Sequence, residues 1–162
     1  MRRQARDDAV VRTIEPLDDT DAAEIARWHY DPPYDFYDLE SDPQDLAEMT
    51  DSKRRGDRYW SARDETGALV GFYYYAVRAD EVEVGVGLRP DLTGRGTGSA
   101  FVESALAFAR ERFAPCTFRL YVAEFNSRAV AVYERAGFRT VGVHMRSFPS
   151  GEYRFVEMER EA

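Results

Sequence analysis

Glycines are concentrated in one short segment, Leu92 to Ser99, which reads Leu-Thr-Gly-Arg-Gly-Thr-Gly-Ser and is called the glycine loop below. The loop lies between a predicted strand and a predicted helix, so its backbone amides and the positive end of the helix dipole converge on one point. Glycine also lets the backbone come close to a ligand there. The glycine loop therefore predicts a site for a phosphate-bearing ligand.

Two common phosphate-binding motifs do not fit the glycine loop. The dinucleotide motif G-x-G-x-x-G requires a glycine at its sixth position, but this position holds Ser99 when counted from Gly94 and Phe101 when counted from Gly96. The nucleotide P-loop requires a lysine before its Ser or Thr, and the glycine loop contains no lysine. The spacing excludes both motifs.

The glycine loop instead resembles the motif of the GNAT acetyltransferase superfamily, in which a hydrophobic strand and a proline precede R/Q-x-x-G-x-G/A at the start of a helix. Here the strand and proline span Val84 to Pro90, and Thr93 stands at the leading basic or amide position. One pyrophosphate contact is therefore expected to be weakened or replaced by the threonine hydroxyl. A second segment, Phe118 to Phe138, resembles the later motif of this family, with strand, Asn, helix, Tyr and Gly-Phe in order.

The resemblance implies acetyl-CoA as the cosubstrate and assigns residues to it. The backbone of Val86 and Leu88 is expected to pair with the pantetheine arm, and the side chain of Asn126 is expected to contact the same arm. Asn126 is also among the best helix-capping residues, and the two roles are compatible. The pyrophosphate is expected to lie on Gly94, Arg95, Gly96, Thr97, Gly98 and Ser99.

Acetyl transfer to an amine needs proton movements, because a lysine-like amine has a pKa of about 10.4 and a thiol of about 8.5. The resemblance implies Tyr133 as the donor to the departing CoA sulfur; it lies two helical turns after Asn126, so both can face one gap. Glu83 is the first candidate for the base, because Gly85 and Gly87 on the same strand face leave room for substrate. Glu81 and Glu124 are the alternatives.

The amine acceptor is expected beside the segment from His29 to Glu40, where aromatic residues alternate with acids. Aromatic rings beside carboxylates suit a cation, although such clusters more often anchor a loop to the core. A small molecule, a protein N-terminus and a lysine side chain all stay open as acceptors. A non-catalytic acyl-CoA sensor or interaction module is the alternative function, and a structural domain without a ligand would leave the glycine loop unexplained.

Composition narrows the remaining classes of function. A formal net charge of -8 argues against nucleic-acid binding, which needs a basic stripe. One cysteine and two histidines give no cluster of soft metal ligands, so no metal is expected. No segment approaches the roughly 20 apolar residues of a membrane span, and a cytoplasmic protein is expected. A homodimer stays open.

Hydrophobic periodicity predicts the strands and helices that carry these residues. Together they predict one domain over residues 1–162 with a mixed α/β fold, in which the strands before and after the long central helix lie parallel and adjacent. The resemblance implies a central, mostly antiparallel mixed sheet with helices on both faces and a splayed parallel pair. Strands are predicted at Val10–Ile14, Tyr59–Arg63, Leu69–Val77, Glu81–Leu88, Thr117–Val122, Phe138–Phe148 and Tyr153–Met158. Helices are predicted from the Asp18 cap to about Trp28, from Pro43, through Val102 to Phe113, and from Asn126 to Ala136.

Overall fold

A seven-stranded mixed sheet with helices on both faces forms the framework of the computed structural model, which describes residues 11–162. The strands are β1 (Thr13–Pro16), β2 (Tyr59–Arg63), β3 (Leu69–Arg78), β4 (Glu81–Leu88), β5 (Thr117–Ala123), β6 (Arg139–Phe148) and β7 (Gly151–Glu161). The helices are α1 (Asp19–Ile25), α2 (Pro43–Thr50), α3 (Ser52–Arg55), α4 (Gly98–Phe113) and α5 (Ser127–Arg135). Short 3-10 turns cover Tyr34–Tyr37, Leu39–Ser41 and Pro90–Leu92.

The strand order is β1-β2-β3-β4-β5-β7-β6, and only the central pair β4 and β5 is parallel. This pair is bridged only from Glu81 to Glu83, opposite Thr117 to Arg119. Beyond that point β4 stays paired with β3 as far as Leu88, while β5 stays paired with β7 as far as Ala123. The two halves of the sheet therefore diverge and open a gap at the carboxyl ends of β4 and β5, as the resemblance implies.

Alternation along the strands directs one set of side chains to α4 and the other to α1 and α2. On the first face, the buried hydroxyls of Tyr73 and Tyr75 donate to the carbonyls of Phe101 and Ala105 of α4, at 2.8 and 2.7 Å. On the second face, Ser61 donates to the buried carboxylate of Asp21 of α1 at 2.7 Å. These bonds satisfy polar groups inside the core and fix both layers on the sheet.

Most predicted elements are present, with shifted ends. The strand predicted from Val10 begins at Thr13 and extends to Pro16; Val10 itself lies outside the described residues. The first helix was predicted to reach Trp28 but ends at Ile25, because the amides of Arg27 and Trp28 bond three residues back and tighten the last turn. Strand β7 is longer than predicted because it pairs along its length with β5 and β6. The short helix α3 was not predicted.

Candidate active site

A cavity of about 600 Å³ follows the gap between β4 and β5 and reaches both faces of the sheet. On the α4 and α5 face, which we call the loop side, it is lined by Thr93, Gly94, Gly96, Gly98, Ser99, Asn126, Arg128 and Tyr133. On the α1 and α2 face, which we call the aromatic side, it is lined by Ile25, Trp28, Leu39, Asp45, Met49, Tyr59, Phe72 and Tyr74. One continuous space thus joins the predicted phosphate site to the predicted acceptor site.

The glycine loop adopts the conformation that its composition predicts. Gly94 and Gly96 have φ values of +72° and +77°, in the left-handed region that residues with a Cβ rarely adopt. The loop leads directly into α4, whose first amides have no partner within the helix. Arg95 and Thr97 belong to the loop but are not among the residues that line the cavity. An anion at this position would meet backbone amides at the positive end of a helix.

The hydroxyl of Thr93 is engaged within the loop. It donates to the carbonyl of Pro90 at 2.6 Å, so its proton is held on the preceding 3-10 turn. The residue lines the cavity beside Gly94, but this geometry does not make its hydroxyl a free donor for a ligand.

Val86 and Leu88 present backbone groups to the gap. The amide of Arg89 bonds the carbonyl of Val70 on β3. Because the two sides of a strand alternate in an antiparallel ladder, the backbone groups of Val86 and Leu88 point away from β3, toward the space that β5 has left. The Leu88 carbonyl accepts a hydrogen bond of 2.7 Å from the Tyr30 hydroxyl. The Leu88 amide and both backbone groups of Val86 face the cavity.

Asn126 caps α5. Its side-chain oxygen accepts from the amide of Ala129 at 3.1 Å, which is the capping role that the sequence allowed. Its side-chain nitrogen donates to the hydroxyl of Tyr37 at 3.2 Å. This bond connects the helix to the segment from His29 to Glu40, which we call the early aromatic segment. The residue also lines the cavity, so a contact to the pantetheine arm stays a prediction.

Tyr133 lies on α5 with its ring edge-on to Phe138, at 6.1 Å between centroids. It lines the cavity at the loop side of the gap. Burial, with a smaller contribution from Tyr37, raises the pKa of its phenol above the ordinary value. The phenol therefore stays protonated at neutral pH, so Tyr133 can donate a proton and cannot serve as a resting base.

Aromatic side chains narrow the space predicted beside Glu83. A methyl group on Gly87 would lie 2.1 Å from an atom of the Phe72 ring, and one on Gly85 would lie 3.2 Å from Cβ of Tyr74. Aromatic side chains of β3 therefore pack over these glycines, but both glycines line the cavity, so room for substrate beside Glu83 stays a prediction. Glu83 does not line the cavity; burial and, to a smaller extent, the charge of Glu83 raise the pKa of Tyr74, which does line it.

The two alternative bases are held in ion pairs. Glu81 accepts from Nε of Arg119 at 2.5 Å, and Glu124 accepts from Nε of Arg154 at 3.1 Å. Neither residue lines the cavity, so these contacts favour a structural role for both.

Asp45 is the carboxylate that the sequence analysis missed. It lies on α2 four residues before the buried Met49, so both residues share the helix face that closes the aromatic side. Its side chain is open to solvent at the cavity mouth, yet the surrounding protein desolvates it and, with Asp42 and Glu48, raises the pKa of the carboxyl. The i, i+4 spacing to an apolar helix position is the signal that could have identified it.

The early aromatic segment divides between lining and anchoring. Trp28, Tyr30, Tyr34 and Tyr37 line the cavity. Phe36 instead packs among rings of the β6 and β7 hairpin. Its ring centroid lies 4.6 Å from that of Tyr153 and 4.9 Å from that of Phe148. The carboxylate of Asp38 accepts from the amide of Tyr30 at 2.8 Å and from His29 at 3.0 Å. Asp38 thus holds the loop, while most rings of the segment line the cavity.

Between residues 11 and 162, no group of three or more His, Cys, Asp and Glu side chains is placed to hold a metal ion. None of the described helices combines the length and apolar character of a membrane-crossing segment.

Comparison of the sequence with known proteins agrees with the geometry. A family model described as an acetyltransferase (GNAT) domain matches residues 12–139. A mycothiol acetyltransferase of Propionibacterium freudenreichii subsp. shermanii is 38% identical over 107 residues, covering 62% of this chain and 34% of that protein. A mycothiol acetyltransferase of Streptomyces coelicolor is 44% identical over 80 residues, covering 48% and 26%. The chain thus spans about a third of the length of the curated relatives it matches, or less.

Solved structures share the fold across the chain. Spermidine N-acetyltransferase from Vibrio cholerae, solved in complex with CoA and spermine, superposes with a TM-score of 0.74 at 21% identity, over 92% of this chain and 94% of that one. An acetyltransferase (GNAT family) from Bacillus anthracis gives a TM-score of 0.72 at 12% identity, over 91% and 93%. At identities this low, these likenesses show the fold alone.

Proposed function

This chain belongs to the GNAT acetyltransferase family, and we propose that it transfers an acetyl group from acetyl-CoA to a primary amine by direct attack in a ternary complex. The observation that carries the proposal is the continuous cavity, which joins the glycine loop to the aromatic side through the β4 and β5 gap. Two substrates that enter from opposite faces of the sheet can meet in such a space.

Acetyl-CoA fits the loop side by its chemistry. Its pyrophosphate would lie on the amides of the glycine loop, as the resemblance implies for Gly94 to Ser99. Its pantetheine arm carries amides that can pair with the backbone groups of Val86 and with the amide of Leu88. This pose delivers the thioester to the gap, beside Tyr133. The CoA complex of the Vibrio cholerae enzyme, which shares the fold, supports the same assignment.

The amine acceptor would enter from the aromatic side. Asp45 offers a carboxylate at the mouth, and Trp28, Tyr59 and Tyr74 offer ring faces that attract a cation. Spermine, the ligand named for the Vibrio cholerae structure, is one acceptor to test. The chemistry of these walls also suits a single ammonium on an apolar body.

The transfer needs one bond formed and one broken. The neutral amine nitrogen attacks the thioester carbonyl, and a backbone amide of β4 stabilises the oxyanion. The tetrahedral intermediate then expels the sulfur as the C–S bond breaks, and the Tyr133 hydroxyl donates a proton to the thiolate. The tyrosine recovers its proton from solvent, and the proton lost by the amine passes to the base.

Glu83 remains the first candidate for this base, acting through a water because Glu83 itself does not line the cavity. Asp45 lies on the cavity and would instead hold the ammonium before it is deprotonated. The pH-rate profiles of Glu83→Gln and Asp45→Asn separate the two roles. If Glu83 is the base, Glu83→Gln lowers the rate mainly at neutral and lower pH, and an unchanged profile removes it from the mechanism. Asp45→Asn should raise KM for the amine more than it lowers kcat.

The test of the function is turnover of acetyl-CoA with a panel of primary amines, followed by release of the free CoA thiol. The panel contains spermine, aromatic and aliphatic monoamines, amino acids, amino sugars and a peptide with a free N-terminus. Amine-dependent thiol release with an acetylated product supports the proposal. Saturable binding of acetyl-CoA without turnover of any amine would refute the enzyme and leave a CoA-binding module.

A further inference from the structure

Arg128 reaches the glycine loop from the first turn of α5. Its guanidinium lies over the ring of Tyr34, with Cζ 4.3 Å from the ring centroid. The same guanidinium lies against Gly94, because a methyl group placed on that glycine would be 3.3 Å from Nη1 of the arginine. Arg128, Gly94 and Tyr34 all line the cavity. The side chain is thus held beside the loop by a ring, with its charge at the loop side.

The position of Arg128 in α5 is unfavourable for the stability of that helix. Arg128 follows Asn126, the cap of α5, by two residues, and no acidic residue lies in the first turn of that helix. The positive end of the helix dipole disfavours a basic residue there. Within residues 11–162, no carboxylate approaches its guanidinium within ion-pair distance. Apart from its contact with the Tyr34 ring, the described contacts give the charge of Arg128 no folding role.

Two sources of positive potential adjoin the glycine loop: the amides at the start of α4, into which the loop leads, and the guanidinium of Arg128, which lies against Gly94. Thr93, at the adjoining position on the cavity wall, contributes little, because its hydroxyl donates to Pro90. An anion with oxygens on more than one side is the ligand that such an arrangement binds.

We propose that Arg128 binds the pyrophosphate of CoA jointly with the glycine loop, and that Tyr34 positions its guanidinium for this contact. The proposal rests on the proposed function for the identity of the ligand. Tyr34 lies in the same 3-10 turn as Tyr37. The early aromatic segment therefore makes two contacts with the start of α5, from Tyr37 to Asn126 and from Tyr34 to Arg128. Binding of CoA should therefore stabilise that segment.

The test compares two ligands, CoA and pantetheine, which carry the same arm with and without phosphates. Calorimetry on Arg128→Gln should show a CoA Kd raised about tenfold to a hundredfold, the range for a lost hydrogen bond to a charged group, and a pantetheine Kd changed less than about twofold. Arg78→Gln is the matched control. Arg78 is exposed at the far end of β3 and does not line the cavity, so its loss should leave both constants unchanged.

Two further variants extend the test. Thr93→Arg in the Arg128→Gln background returns a guanidinium to the loop from the adjoining position and should recover part of the CoA affinity. Tyr34→Leu should weaken CoA binding in the wild type and add no further loss in Arg128→Gln, because a positioning residue acts only through its partner.

The outcomes separate this proposal from the proposed function. If the folded wild type does not bind CoA, both fail. If the wild type binds CoA and Arg128→Gln binds it within twofold, or if pantetheine weakens by the same factor as CoA, only the assignment of Arg128 is overturned. Circular dichroism and thermal unfolding confirm that each variant is folded.

Discussion

Replacing Tyr133 with Phe removes one oxygen and leaves the packing of the ring on Phe138 in place. If the hydroxyl protonates the departing sulfur, kcat should fall about a hundredfold, at the lower end of the range for general acid catalysis. That factor corresponds to about 2.7 kcal/mol of lost transition-state stabilisation. The Kd of CoA should change less than about twofold, because the phosphate and pantetheine contacts do not involve this hydroxyl.

The protonation state of the Tyr133 phenol determines how the loss of kcat depends on pH. Burial raises the pKa of Tyr133 above its ordinary value, so the hydroxyl is protonated throughout the range of a practical assay. Wild type and Tyr133→Phe should therefore differ by the same factor at every pH from about 6 to about 9. A loss confined to high pH would mean that the group acts as a base, which contradicts the assignment.

Thiol release at saturating acetyl-CoA measures kcat, and calorimetry with CoA measures binding. Tyr153→Phe is the matched control, because its hydroxyl contacts Ser150 at 2.8 Å and the residue does not line the cavity. A Tyr133→Phe enzyme with kcat within threefold of wild type would refute the role of the hydroxyl in proton donation.

Three further predictions concern the loop, the sheet and the surface. Gly96→Ala and Gly96→Glu both place a side chain at a φ of +77° and should each lose about 1 kcal/mol of folding free energy in urea denaturation. Only Gly96→Glu should weaken CoA further, by about threefold to a hundredfold for a carboxylate about 6 Å from a phosphate, and equal affinity of the two variants would contradict the pyrophosphate site. Gly87→Ala should lower the free energy of unfolding by about 1–3 kcal/mol, since its methyl group would lie 2.1 Å from the Phe72 ring; an unchanged urea midpoint would refute this packing. The hydrogen bond from His144 is the largest cause of the lowered pKa of Glu157, so its stabilisation is present above the ordinary carboxyl pKa and is lost as pH falls through the lowered value. The Tm of Glu157→Gln should therefore fall less steeply than that of wild type between about pH 5 and pH 3, and parallel curves would count against the contact.

The sequence predicted those parts of the fold that depend on local pattern. The alternation from Glu81 to Leu88 and the glycines before α4 identify a strand, a loop and a helix without reference to any distant residue. Some of the residues that line the cavity can be predicted from the same local signals. Asn126 is the clearest case, since its capping role requires only the helix that begins after it.

The remaining features depend on contacts between distant segments. Rings of β3 pack over Gly85 and Gly87, so the extent of the room predicted beside Glu83 depends on a strand register that local pattern does not give. The approach of Arg128 to Gly94 likewise joins the start of α5 to a loop more than 30 residues earlier in the chain. Side-chain periodicity within one element carries no information about such pairs.

Calorimetric titration of acetyl-CoA into the full chain is the most direct test of cofactor binding. We expect saturable binding at one site per chain, with a Kd of about micromolar to tens of micromolar, and a clear loss of affinity in Gly96→Glu relative to Gly96→Ala. No binding by the folded wild type at millimolar acetyl-CoA would contradict this assignment. The glycine loop, Arg128 and the open strand edge would then need another explanation for their arrangement.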